Sequence, residues 1–329
     1  MLAEDMTTIP LRLKMLASLM RRMPTSIRKF GWWWERMYRA IGGGGFVDDA
    51  EVDVRWPAGL QGPIRGRRSG QRLFLDLRVW PERRTYFSGV YFQQELEYLL
   101  PALLRREDQY LDIGANIGMT SLLASPLIGL EGRGFSFEPN PEAFARLKQH
   151  FEANRIANLE PVPLALSDRE GEARLVLPGG NSGLGSLAGD HEGPARAFTV
   201  RVATGRPYLE RLDPARPTLV KIDVEGHEVR ALRGMEAILD WPEVAIISEV
   251  NDGMLRRAGD SADELFGLLK GRGFRAFLFG LRRGRLKCDL VVTPIESPRD
   301  ARGDDWFDAL FAKPGSGVYR ERIAPLLDA

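Results

Sequence analysis

Beyond Gln109, short runs of apolar and β-branched residues alternate with stretches whose apolar positions recur at helical spacing, as in "YLDIGANIGMTSLLAS". No other feature narrows the fold as far. Strands joined through helices must run parallel, and a parallel sheet must be covered on both faces. The pattern predicts strands at 110–113, 134–138, 159–164, 219–223, 244–249, 274–279 and 289–293, and helices near 117–127, 141–154, 228–240 and 261–271. Between the last two strands lies only "GLRRGRLKC", too short for a crossover helix, which predicts an antiparallel hairpin. The expectation is an α/β fold: a Rossmann-like, mostly parallel seven-stranded sheet with an antiparallel last strand, preceded by helical and β extensions.

The segments before this sheet have a different character. Residues 1–46 read as a basic helical extension, in which Arg12, Lys14, Arg21, Arg22, Arg28, Lys29, Arg36 and Arg39 outnumber Glu4, Asp5 and Glu35. No apolar run there is long enough for a membrane span. Two readings follow: a basic amphipathic helix that makes peripheral membrane or partner contact, and a helix packed on the body. Residues 47–92 read as a β-rich lead-in. "EVDVRW" and "RLFLDLRVW" alternate around the loop-like "QGPIRGRRSG", and "VYFQQELEYLLPALLRRE" then carries leucines at helical spacing. Residues 93–295 make the sheet domain and 296–329 a C-terminal tail. Forty-six basic residues against 45 acidic ones give a charge of +1, so there is no global case for nucleic acid. One cysteine, Cys288, excludes an internal disulfide or a cysteine zinc cluster and fits a reducing, cytoplasmic setting, and three histidines argue against a histidine metal site. Self-association into a homo-oligomer is left open.

In a doubly wound sheet the ligand lies at the carboxyl ends of the strands, at the first strand-to-helix turn. "LDIGANIG" puts Asp112 in the strand and Gly114, Ala115, Asn116 and Gly118 in the turn, the glycines letting the backbone pass close to a ligand. A pyrophosphate cradle needs G-x-G-x-x-G, but Asn116 and Met119 stand where the second and third glycines belong. A phosphate-free, cationic ligand fits better. S-adenosylmethionine is one, with a methionyl ammonium that Asp112 can meet. "FEPNP" ends the second strand with Glu138, placed to accept the hydroxyls of a ribose, and Pro141 opens the following helix.

Taken in order, "LDIGANIG", "FEPNPEAFARLKQHFEAN", "LALSDREG", "NSGLGSL" and "LVKIDVEGHEVRALRGM" resemble the FkbM family of S-adenosylmethionine-dependent methyltransferases, over roughly residues 86–293. The resemblance implies a class I methyltransferase fold and methylation of a hydroxyl on a sugar or a polyketide-like product. It implies that Asp112, Gly114 and Asn116, with Ala115 and Gly118 completing the turn, face the methionyl side of the cofactor. Glu138 then faces the ribose, and Ser167 and Asp168 border adenine. Asn181 and Ser182 fall in the loop matching the family, read either as a lid over the acceptor or as a plain hairpin tip.

Methylating an alcohol requires that the acceptor oxygen be aligned, its proton removed and water excluded. "KIDVEGHE" offers Asp223 at a strand end, directed into the crevice over the cofactor and so also a cofactor-binding candidate, then Glu225 and His227. His227 is the natural proton acceptor, with Asp223 or Glu225 orienting it or taking the role itself; the alternative is a surface or capping residue of the next helix. Glu249 and Asn251 in "IISEVND" read as acceptor-binding. With Asp223 and Asp252 they could hold magnesium, but no metal is expected. Arg275, Arg282, Arg283, Arg285 and Lys287 surround the last hairpin, as a phosphate site or a solvated rim. The expected function is S-adenosylmethionine-dependent O-methylation of a small-molecule saccharide or glycan-linked acceptor. The alternatives are a polyketide or peptide acceptor, a non-catalytic cofactor-binding scaffold, and a nicotinamide dehydrogenase.

Overall fold

The computed structural model describes residues 9–22, 35–41, 56–178, 187, 195–283, 288–301 and 306–327. Asn181 and Ser182 of the expected lid, Arg285, Lys287 and the glycine run at 42–45 lie outside the described residues. The chain divides into two compact units, one built mainly from residues up to Glu97 and the other mainly from Tyr98 onward.

In the first unit, helix α1 (Leu11–Met20) buries Ala17 and Met20. Leu11, Met15 and Leu19, four residues apart, are exposed on another face. The helix is anchored where Arg21 Nη1 donates to the Tyr86 carbonyl at 2.7 Å. Strands β1 (Leu60–Arg65) and β2 (Arg72–Asp76) pair antiparallel, and helix α2 (Trp80–Ser88) follows. Two expectations are corrected here. "QGPIRGRRSG", read as a loop, holds all of β1 but its first residue, and the end of "RLFLDLRVW", read as strand, turns into α2. Pro63 is tolerated because β1 is an edge strand whose register is interrupted between Gln61 and Ile64. Beneath the hairpin the buried Arg83 donates to the Leu77 carbonyl at 2.7 Å and lies over the Trp56 ring, which meets Phe87 edge-on.

Helix α3 (Gln94–Leu103) buries Leu96, Leu99, Leu100 and Leu103 and leads into the second unit. There β3 (Gln109–Ile113), α4 (Met119–Ile128), β4 (Arg133–Phe137), α5 (Pro141–Asn154) and β5 (Leu159–Val162) follow the expected alternation. Strands β6 (Ala165–Leu166), β7 (Gly171–Pro178) and β8 (Ala195–Ala203) form a separate small sheet in the order β6-β8-β7. Next come β9 (Thr218–Ile222), α6 (Glu228–Gly234), β10 (Val244–Asn251), α7 (Asp252–Arg257), α8 (Ala262–Lys270), β11 (Arg275–Arg283), β12 (Cys288–Ile295) and β13 (Trp306–Ala312).

Among the described residues eight strands form the main sheet, in the order β12-β11-β13-β10-β9-β3-β4-β5. Strands β5, β4, β3, β9 and β10 are mutually parallel. β13 runs antiparallel to both β10 and β11. The sheet is therefore mostly parallel as expected, with two corrections. It has eight strands rather than seven, and β13, in a segment not assigned to the sheet, is an antiparallel strand lying between β10 and β11, while β12 lies beside β11 at the edge, where the hairpin was expected. Residues 306–312, assigned to a tail, are an interior strand whose last four residues are all buried. Leu111, Ile113, Val220, Ile222, Ile246 and Phe311 meet in one core, which is closed by residues far apart in sequence. No described helix is long and apolar enough to cross a membrane.

Candidate active site

β3 lies between β4 and β9, and from it the chain proceeds outward in opposite directions, so the carboxyl ends of these strands open a crevice at the switch point. Asp112 is fully buried there. Its Oδ2 accepts Thr120 Oγ1 at 2.7 Å and Ser121 Oγ at 2.5 Å, tying β3 to the first turn of α4. Its Oδ1 is buried with no hydrogen-bond partner. Gly114 has φ 80°, and a Cβ on it would stand 1.8 Å from the Asp223 carbonyl oxygen. The glycine is thus demanded by the approach of the turn to the end of β9, a different reason from the expected closeness to a ligand. The Gly114 and Ala115 amides both donate to the Phe137 carbonyl, at 3.0 and 2.9 Å. Asn116, at φ 50°, donates its amide to Glu138 Oε2 at 2.7 Å, and its own side-chain oxygen is buried without a partner. Gly118 is the N-cap of α4. Glu138 accepts the Asn140 amide on Oε1 at 2.7 Å, and burial raises its pKa to about 7.

At the end of β9, Lys221 and Asp223 share one face of the strand, and the buried Lys221 Nζ donates to Asp223 Oδ2 at 2.9 Å. The carboxylates of Asp223, Glu225 and Glu249 offer oxygens that all lie within 4.8 Å of one another. Glu225 holds φ 52°, a left-handed backbone that a non-glycine residue adopts at some cost. Burial, and then the charge of Asp223, push the carboxyls of both Glu225 and Glu249 well above the usual range. Glu249 accepts the indole N–H of Trp306 on Oε1 at 2.5 Å, while its Oε2 is buried without a donor. Glu228 closes the loop by accepting the Val224 and Gly226 amides at 3.2 and 3.1 Å, and burial raises it to about 7.

His227 turns another way. Its Nε2 lies 3.4 Å from Ser167 Oγ, which in turn donates to Asp168 Oδ1 at 3.2 Å. Burial, then the nearby Arg230, lower its pKa to about 4, so its imidazole is neutral at pH 7. A pairing of His227 with Asp223 or Glu225 is not among the described hydrogen bonds; the imidazole belongs with the Ser167–Asp168 segment after β6. Asn251 Oδ1 caps α7 by accepting the Met254 amide at 3.1 Å, and Asp252 accepts the Ala262 amide at 2.9 Å and the Arg256 guanidinium. Of the four oxygen donors read from sequence as a magnesium set, these two cap or join helices, and Glu225 stands in their place.

Sequence reasoning passed over Lys221, Glu228 and Trp306. The two-residue spacing of Lys221 and Asp223 on a strand was the available signal for the first. Trp306 offered none, because the strand carrying it was not recognised.

The chain resembles two characterised methyltransferases. One is the hexuronic acid methyltransferase AglP of Haloferax volcanii, 28% identical over 162 residues. The match covers 49% of this chain and 64% of that protein, less than two thirds of its length. The other is the 31-O-demethyl-FK506 methyltransferase FkbM of Streptomyces tacrolimicus, 28% identical over 260 residues, covering 69% of this chain and 90% of that protein. A solved methyltransferase FkbM from Methylobacillus flagellatus superimposes with a TM-score of 0.38 at 14% identity, over 76% of this chain and 56% of the other, a likeness too slight to bear on function. The methyltransferase FkbM domain model matches residues 112–276, half of the chain, from the buried Asp112 through the carboxylate cluster to β11. The chain belongs to the methyltransferase FkbM domain family.

Proposed function

We propose that the chain is an S-adenosylmethionine-dependent O-methyltransferase that acts on a hydroxyl of a saccharide or glycan-linked acceptor. The observation that carries the reading is the Asp223, Glu225 and Glu249 cluster at the carboxyl ends of β9 and β10, beside the turn that follows β3.

The residues of that turn fit the cofactor. Asp112 Oδ1 and Asn116 Oδ1 are buried acceptors without donors, suited to an ammonium group. Each Glu138 oxygen accepts one backbone N–H and keeps capacity for a ribose hydroxyl. The neutral His227, with Ser167 and Asp168, suits an uncharged heterocycle. When bound, S-adenosylmethionine supplies an electrophilic methyl group on a sulfonium centre.

The chain's own part is to hold the acceptor and take its proton. Lys221 holds one oxygen of Asp223, and the cluster presents acceptor-rich oxygens to a polyol. Clustered carboxylates accept protons from neutral hydroxyls, so a sugar hydroxyl suits them. Kinship with a hexuronic acid methyltransferase supports a saccharide. The polyketide reading draws support from the relative of which 90% is matched, a methyltransferase of 31-O-demethyl-FK506.

The test is turnover of S-adenosylmethionine against a panel of methyl glycosides and macrolide alcohols. Release of S-adenosylhomocysteine with an O-methylated glycoside is expected, falling on the order of 100-fold or more in Asp223→Asn. Methylation of macrolides alone would replace the acceptor class. Cofactor binding without turnover on any alcohol would leave the scaffold reading standing instead.

A further inference from the structure

The geometry points to a divalent metal site formed by Asp223, Glu225 and Glu249, of the hard, oxygen-seeking class that includes Mg²⁺ and Mn²⁺. Three observations carry it. The first is distance: one oxygen from each residue lies within 4.8 Å of the others, the spread of oxygens that share a cation with bonds of about 2.0–2.6 Å. The second is an orphaned ligand atom. Glu249 is 3% exposed, and its Oε1 is fixed by the Trp306 indole while Oε2 meets no donor. A buried carboxylate oxygen without a partner is costly, and the fold keeps this one beside two further carboxylates. The third is charge. Three carboxylates gather where Lys221 donates to Asp223, a concentration of negative charge that a divalent cation offsets.

Asp223 remains 21% exposed, so the site is open on one side to water or to an acceptor's hydroxyls. For its purpose the inference rests on the methyltransferase reading; the binding itself does not, and it can be measured with no cofactor or acceptor present.

The probe is Mn²⁺ alone, titrated into the full chain at pH 8 and followed by loss of the free-ion paramagnetic resonance signal. One ion per chain is expected, with at least tenfold weaker binding in both Glu249→Gln and Glu225→Gln. Glu225 lies in a partly exposed loop, so its variant keeps the test open if the buried Glu249 variant does not fold, as judged by its melting curve. Absence of Mn²⁺ binding up to millimolar ion overturns the inference, and so does binding that survives both substitutions. Methylation that proceeds undiminished after chelation also overturns it, while leaving the enzyme reading intact. Bound Mn²⁺ with no turnover on any alcohol would sink the enzyme reading and leave the metal site standing.

Discussion

Single residues at the switch point carry a structural duty that the fold shows and a ligand duty that we propose, and their variants separate them. Asp112 ties the first turn of α4 through Oδ2 while Oδ1 meets no donor. Asp112→Asn, which keeps most of the packing, is expected to weaken S-adenosylmethionine at least tenfold by calorimetry; unchanged affinity would remove Asp112 from the ligand site. Gly114→Ala places a methyl 1.8 Å from the Asp223 carbonyl, a clash that the rigid end of β9 cannot relieve. It is expected to cost more than about 3 kcal/mol, read as a large drop in melting temperature. His227→Gln separates the roles left open by the sequence. With the imidazole beside Ser167, the substitution is expected to raise the KM for cofactor severalfold and leave the pH profile of kcat in place. A flattened profile would return His227 to the role of base.

At the scale of elements, legibility followed periodicity. Helix α5 was bounded correctly because Asn140 caps it and Pro141 opens it, both local signals. Strands β3, β4 and β9 announced themselves as buried apolar runs. β13 did not: "WFDALFA" lies in a stretch without a motif, and what makes it a strand is the gap between β10 and β11 that it fills. Its Phe311 is fully buried and meets Phe266 edge-on at 5.1 Å. Phe311→Ala is expected to cost about 3–5 kcal/mol by denaturant unfolding. A loss under 1 kcal/mol would mean that β13 is dispensable to the sheet.

Across the whole molecule, buried acids make stability depend on pH in an uncommon direction. Glu97, Glu138 and Glu228 are each raised from 4.5 to about 7 by burial, so the folded chain binds protons that the unfolded chain has released. Their contribution is present below about pH 4.5 and is lost as pH rises through 7. His227, lowered from 6.5 to about 4, acts oppositely, costing stability as pH falls from 6.5 to 4. Three acids outweigh one imidazole, and melting temperature is expected to fall between pH 5.5 and 8, with a shallower slope in Glu228→Gln. A rise over that range would contradict the burial of these acids. From sequence alone came the parallel α/β order, the turn at Gly114, and Glu138 at the end of the second strand, because each is written in local spacing. The meeting of Asp223, Glu225 and Glu249, the turn of His227 toward Ser167, the insertion of β13 and the true reason for Gly114 were decided by tertiary structure. Each depends on which strands become neighbours in the sheet, and hydrophobic period records the face a residue takes, not the distant residue it meets.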